Sequence, residues 1–106
     1  MGKYLIKASY TLDGVKGVAS GGGSARRDAV EATLSSVGGS LESFYFGFGD
    51  TDAYVLADIP DNVAAAALSL TVNASGGAQA TTVPLLTPEE MDEAAQKSVD
   101  YTPPGG

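Results

Sequence analysis

The sequence predicts an α+β fold in which a four-stranded antiparallel sheet carries two long helices on one face. Three observations lead to this prediction. Four segments have the composition and alternation of strands, two segments between them repeat apolar residues at helical spacing, and glycine, proline and aspartate separate them. With 106 residues the chain forms one domain that can enclose a single hydrophobic core.

The first strand is predicted over residues 4–11, because the side chains of YLIKASYT alternate between two faces of a sheet. A flexible connection is predicted next, since Gly14, Gly17 and three consecutive glycines at 21–23 disfavour regular structure. Ser24 is then predicted to cap the first long helix.

That helix is predicted over residues 25–37, where Val30, Leu34 and Val37 form a stripe that faces the core. The glycine pair that follows is expected to end it.

A β-hairpin is predicted over LESFYFGFGDTDAYVLADIP. The first strand of the hairpin is expected to place Phe44, Phe46 and Phe48 on one face and Tyr45 on the other. The residues Gly-Asp-Thr-Asp at 49–52 form the turn, and AYVLADI is the second strand of the hairpin.

A second long helix is predicted to begin at the cap Asp61 and to end near Asn73. Small side chains surround it and allow a close approach to a neighbouring element. Val63, Ala66, Ala67 and Leu70 form its apolar stripe, which Ala64, Ala65, Leu68 and Val72 widen.

The fourth strand is predicted over residues 79–86 and at a sheet edge, because Pro84 cannot donate a ladder hydrogen bond. Thr87 and Glu90 predict a capping box at the start of a short third helix. We therefore expect one domain over residues 1–98 and an extended tail over residues 99–106.

The resulting order, β-α-β-β-α-β followed by a short helix, is the ferredoxin-like arrangement. Right-handed crossovers place both long helices on one face of a sheet with the strand order 4-1-3-2. The aromatic second strand is then an edge, and both of its faces carry apolar groups, which favours association. We expect a homo-oligomer, most simply a dimer with packed sheets, whose interface includes Phe44, Tyr45, Phe46, Phe48 and Tyr101. The alternative is a monomer in which the C-terminal helix and tail cover the open face.

Composition excludes several kinds of chemistry. The chain has no Cys and no His, so disulfides, thiolate sites, a Ser-His-Asp triad and the usual zinc ligands are absent. The net charge is −7, which argues against general nucleic-acid binding. Residues 1–27 nevertheless hold five basic residues against one acid, whereas residues 28–106 hold one against 12. No segment is long and apolar enough for a membrane span or a secretory signal, so we expect a cytoplasmic protein.

Several segments resemble the GYD-domain family of small bacterial proteins: YLIKASYT, the helix ARRDAVEATLSSVGG, the hairpin LESFYFGFGDTDAYVLADIPDN and the closing TPEEMDEAA. The family's name motif is Gly, any residue, Tyr, Asp. Gly49 and Asp52 match it, while Thr51 stands where the motif has Tyr. The resemblance implies a ferredoxin-like unit paired through its sheets, similar to the dimeric α/β-barrel group. It implies no established activity.

The basic residues Arg26 and Arg27 directly follow the glycine run at the predicted start of a helix. Free backbone N–H groups and two guanidinium groups there suit phosphate or carboxylate. The alternative, which we favour, is a flexible connection with solvated arginines that pair with nearby acids. For Asp50 and Asp52 we favour a role in the turn over a metal site, since their spacing matches no calcium loop.

A second candidate site lies between the paired sheets. A small apolar or aromatic compound fits a pocket lined by aromatic rings with one lysine and one carboxylate. The candidate residues there are Lys7, Ser9, Tyr45, Tyr54 and Asp58. The alternative is that Lys7 pairs with an acid at the interface and the tyrosines are packing residues.

Three functions agree with this sequence. The first, which we favour, is a homo-oligomeric, non-catalytic module that binds a small anionic or aromatic ligand or a partner. The second is a cofactor-independent enzyme, an isomerase or oxygenase, that uses Lys7, Asp58 or a tyrosine for proton transfer. The third is a structural or assembly protein. None of them requires a cofactor or a metal, and we assign no catalytic residue.

Overall fold

A computed structural model of the protein describes residues 2–106. It confirms the predicted class, a ferredoxin-like α+β fold with one antiparallel sheet, and contains one helix more than predicted. Among the described residues, no helix has the length and apolar character needed to cross a membrane. The elements are β1 Gly2–Tyr10, α1 Leu12–Gly21, α2 Gly23–Ser36, β2 Ser40–Phe46, β3 Ala53–Ile59, α3 Asn62–Ala74, β4 Ala78–Leu85 and α4 Pro88–Ala95.

The strands lie in the order β2-β3-β1-β4, and every neighbouring pair is antiparallel. This is the predicted order, with β1 and β3 in the centre. Pro84 lies in the edge strand β4, opposite Tyr4 of β1. An edge strand tolerates the missing N–H group, so the predicted place of this strand is confirmed.

The core lies between one face of the sheet and helices α2 and α3. Leu34 of α2 and Ile59 of β3 are fully buried within it. Tyr4 is also buried, and its hydroxyl donates a hydrogen bond of 2.6 Å to Oδ1 of Asn62, so the ring leaves water without losing its polar partner. The buried cluster comprises Tyr4, Ile6, Leu34, Val55, Ala57, Ile59, Ala65 and Leu68.

Hydrogen bonds confirm three predicted helix ends. Asp61 caps α3, because its Oδ1 accepts from the N–H of Ala64 at 2.9 Å. Thr87 and Glu90 form the capping box of α4, with reciprocal bonds of 2.9 and 3.1 Å. Gly38 follows α2 with a φ of 79°, a left-handed conformation that glycine adopts without strain.

The prediction of a flexible connection after β1 is wrong, because residues 12–21 form α1. Thr11 caps this helix by accepting from the N–H of Gly14 at 3.3 Å. The N–H and hydroxyl of Thr11 donate to the carbonyl oxygens of Gly77 and Gly76, at 3.1 and 2.8 Å. A Cβ atom at Gly14 would clash with the Gly77 carbonyl. Glycine at 14 therefore permits close contact between two backbones, which the pattern of glycines alone did not reveal.

Ser24 does not cap α2, which corrects a second prediction. Helix α2 begins at Gly23, and Gly22 separates it from α1 with a φ of 87°. The N–H of Gly22 donates to the carbonyl oxygen of Val18 at 2.8 Å and so ends α1. The glycine run is a tight joint between two helices.

Strand β2 contains a bulge at Glu42. Leu41 and Ser43 pair with consecutive residues of β3, so Glu42 has no partner in the ladder. The extra residue reverses the alternation of side chains. As a result Leu41 and Phe44, three positions apart, both pack against the core beneath the helices.

The hairpin places Phe44 and Phe46 on one face and Tyr45 on the other, as predicted, but Phe48 lies outside the strand. Phe44 is partly buried against the core, and Phe46 packs on it edge-to-face with ring centroids 4.9 Å apart. Strand β2 ends at Phe46, and Phe48 lies beyond it, fully exposed. The face with the phenylalanines is therefore the helix-covered side of the sheet, and Tyr45 lies on the other side.

Helix α3 does not bury the stripe that was predicted to be its main apolar face. Ala65 and Leu68 are buried, whereas Val63 and Leu70 are 79% and 73% exposed. The sequence NVAAAALSLTVNA is apolar on every side, so periodicity alone could not select the buried face.

Residues 86–106, the C-terminal arm, consist of α4 and an extended tail, and every one of them is exposed. The arm therefore does not cover the sheet, which contradicts the alternative monomer in which it did. The radius of gyration is 16.7 Å, compared with about 13 Å for a compact chain of this length. The arm projects away from the domain.

Asp52 ties the hairpin turn to the end of β1. Its N–H donates to the carbonyl oxygen of Ala8 at 2.9 Å, and its carboxylate accepts from the N–H of Tyr10 at 2.8 Å. The Asp52 carbonyl oxygen accepts from the N–H of Gly47 at 2.8 Å and closes the loop. One residue thus joins three backbone segments, which confirms a turn role for this aspartate.

Replacement of Asp52 with Ala should lower the free energy of unfolding by about 1–3 kcal/mol, because the N–H of Tyr10 loses its partner. Urea denaturation measures the change. The control is Asp50→Ala, which removes the same charge from an exposed side chain and should change the stability by less than about 0.5 kcal/mol. Equal losses in the two variants would contradict the anchoring role.

Replacement of Gly14 with Ala should destabilise the protein by about 1–3 kcal/mol, because the added methyl meets the backbone of Gly77. The matched change Gly17→Ala, also in α1, meets nothing within 4 Å and should stabilise the helix by up to about 1 kcal/mol. Denaturation midpoints compare the two variants. A Gly14→Ala protein as stable as the Gly17→Ala protein would show that the two backbones do not pack closely.

Candidate functional site

The open face is the side of the sheet opposite α2 and α3, and no element among residues 2–106 covers it. Strand register arranges its side chains in three rows across the sheet. The middle row is apolar apart from Ser43, and its members are partly exposed. It consists of Ser43, Leu56, Leu5 and Val83.

The second row brings together three of the predicted site residues. Tyr45 pairs with Tyr54, and Tyr54 pairs with Lys7, which lies opposite Thr81 of β4. The tyrosines are 70% and 41% exposed. Lys7 forms no ion pair with any acid among the described residues. The row thus combines one cation with two aromatic residues, the lining predicted for an anionic or aromatic compound.

The third row places Asp58 away from Lys7. Lys3 lies opposite Asp58 and contacts its Oδ1 at 3.0 Å, and it also contacts Oε2 of Glu42 at 2.9 Å. Hydrogen bonds to Glu42 and Asp58 raise the pKa of Lys3 above its ordinary value. Four residues of extended strand separate this row from Lys7, a distance of about 13 Å. Sequence analysis missed the Lys3 cluster, because the bulge that frees Glu42 from the ladder has no sequence signature.

Ser9 lies two positions after Lys7 on β1, on the side of the tyrosine and lysine row away from Asp58. Its hydroxyl donates to the backbone oxygen of Asp50 at 2.9 Å. Ser9 therefore fastens the hairpin loop to β1, and of the five residues predicted to line this site, the structure groups three.

The two arginines of the glycine run have different surroundings. Arg27 is exposed and lies 3.3 Å from Asp28, the solvated pairing that we favoured. Arg26 points into the helix-covered side and lines a cleft between α2 and α3. Among residues 2–106, no group of three or more aspartates and glutamates is arranged to hold a metal ion.

The comparisons with known proteins give one match. No curated protein and no solved structure is similar enough to this chain to be matched. The family model described as GYD domain matches residues 4–95, which include most of β1, the whole of the other three strands and both halves of the hairpin. The chain therefore belongs to the GYD domain family.

Proposed function

We propose that this GYD-domain protein is a homo-oligomeric, non-catalytic binding module in which two copies pack through their open faces. The observation that carries the proposal is the uncovered middle row of Leu5, Leu56 and Val83. A sheet face with a continuous apolar row is normally covered in a stable domain. A second copy supplies a surface of the same chemistry.

We expect the packing of two open faces to give a stable dimer when the C-terminal arm also takes part in the contact. Even complete burial of two middle rows, whose members are only partly exposed, removes less than about 400 Å² of apolar area from water and so contributes less than about 10 kcal/mol. Association itself costs about 4–15 kcal/mol, so the rows alone give a weak dimer. Val99 and Tyr101 of the C-terminal arm are 79% and 70% exposed and are available to extend the contact.

The predicted interface residues contribute unequally to this arrangement. Tyr45 lies on the open face and Tyr101 on the arm, so both belong to the proposed interface. Phe44 and Phe46 are on the helix side, and they take part only through the β2 edge. Phe48, at the loop, is exposed and reaches a partner only if the hairpin tips also meet.

The row of Tyr45, Tyr54 and Lys7 is the proposed ligand site within the dimer. Pairing two open faces removes water from Lys7, and a desolvated cation gains most from an anionic or π-rich partner. The lysine and the two tyrosines of the row determine which class of ligand binds, and this role involves no catalytic step.

Replacement of Leu56 with Glu should convert the oligomer to monomer, because the charge would be buried between the sheets. The matched control is Leu70→Glu, the same change on the exposed outer side of α3, and it should leave the oligomer intact. Sedimentation velocity at micromolar concentration measures the mass, and circular dichroism checks the fold. A folded wild-type monomer would refute the pairing, and a large polydisperse particle would favour the assembly function.

Replacement of Lys7 or Tyr45 with Ala should lower the occupancy of a small molecule retained by the cell-purified protein, since each removes one side of the row. Native mass spectrometry measures the occupancy. The control is Lys16→Ala, which removes an exposed lysine of α1. Unchanged occupancy in the Lys7 and Tyr45 variants would place the ligand elsewhere. Turnover of the retained molecule would favour the enzyme function.

A further inference from the structure

A cleft opens on the helix-covered side of the sheet, opposite the tyrosine and lysine row. Its floor is formed by the sheet, one wall by α1 and α2, and the other by α3. The inner chamber has a volume of about 70 Å³ and an apolar lining that includes Ile6, Val55 and Phe44. The outer chamber has a volume of about 500 Å³, within the range of small-molecule sites.

Arg26 lines both chambers and is the charged residue of the cleft. Its Nε atom is buried and has no hydrogen-bond partner among residues 2–106. No acid of the described chain lines either chamber, so the positive charge is not neutralised where it lies. A buried guanidinium atom without a partner costs free energy, and a bound carboxylate that accepts its hydrogen bonds removes that cost.

The α1 wall leaves room that the protein itself does not use. Gly17 and Gly21 both line the outer chamber, and a Cβ atom at either position would meet nothing within 4 Å. Glycine inside a helix costs up to about 1 kcal/mol relative to alanine. Neither internal packing nor a positive φ requires glycine at these two positions, and the space above them is open to a bound molecule.

We infer that this cleft binds a small amphipathic carboxylate, whose carboxylate pairs with Arg26 and whose apolar body occupies the chambers over the sheet. The guanidinium fork suits a carboxylate because it donates two parallel hydrogen bonds. Apolar walls favour an aliphatic or aromatic body over a sugar or a nucleotide, which would leave polar groups unpaired. The site is independent of sheet pairing, because it lies on the other face.

The test uses octanoate and its uncharged counterpart 1-octanol as probes of the full ¹⁵N-labelled chain. Amide shifts measured in titrations should move at Val30, Thr33 and Val72 around the cleft. Octanoate should bind at least roughly tenfold more tightly than 1-octanol, the ratio expected for charged hydrogen bonds. Arg26→Met should abolish this preference, while 1-octanol binding stays unchanged.

Arg27→Met is the matched control, since it removes the same charge from the next residue and should alter the octanoate affinity less than twofold. If Arg26→Met fails to fold, Arg26→Lys replaces it in the test. This variant should bind octanoate severalfold more weakly, because lysine cannot donate two parallel hydrogen bonds to a carboxylate. The inference is overturned if neither probe binds at millimolar concentration, or if Arg27→Met weakens octanoate as much as Arg26→Met does. Amide shifts confined to Leu5 and Val83 also overturn the inference, because they locate binding on the open face. Sheet pairing is tested separately by the oligomeric state.

Discussion

The one-sided burial of the sheet is the constraint from which the other features follow. Leu34 of α2 and Ile59 of β3 are fully buried in one cluster, and α3 adds Ala65 and Leu68 to the same side. Helices connected by right-handed crossovers lie on a single face, so the chain has no long helix left for the opposite face. The apolar row of that face then remains in contact with water unless another molecule covers it.

Much of the fold follows from local signals that tertiary contacts do not override. Asp61 and the pair Thr87 and Glu90 cap helices through bonds between near neighbours, and Pro84 restricts its strand to an edge. These residues determine local backbone geometry, and their effects are therefore visible in sequence. Strand order also follows, because few arrangements satisfy the crossover rule.

The features that sequence analysis missed depend on contacts between distant segments. Gly14 belongs to a helix because that helix packs on the backbone at Gly77, 63 positions later in the chain. The bulge at Glu42 reverses the facing of Phe44 without any unusual residue, and a helix as uniformly apolar as α3 has no preferred face until it packs. The same reason applies to the site: alternation places Lys7, Tyr54 and Asp58 on one face, but only the register shows that Lys7 lies opposite Tyr54 and away from Asp58.

The basic side chains of residues 1–27 lie in different environments. Lys3 is paired with two acids and Arg27 with its neighbour Asp28, so the chain itself neutralises these two charges. Lys7 and Arg26 have no acidic partner among the described residues, and they lie on opposite faces of the sheet. An acidic protein gains stability by pairing its few cations internally, and seven acids are left over after every cation is counted. These two cations lie apart from that excess, each beside apolar or aromatic groups, and this placement is the basis for proposing that they bind anions from outside the chain.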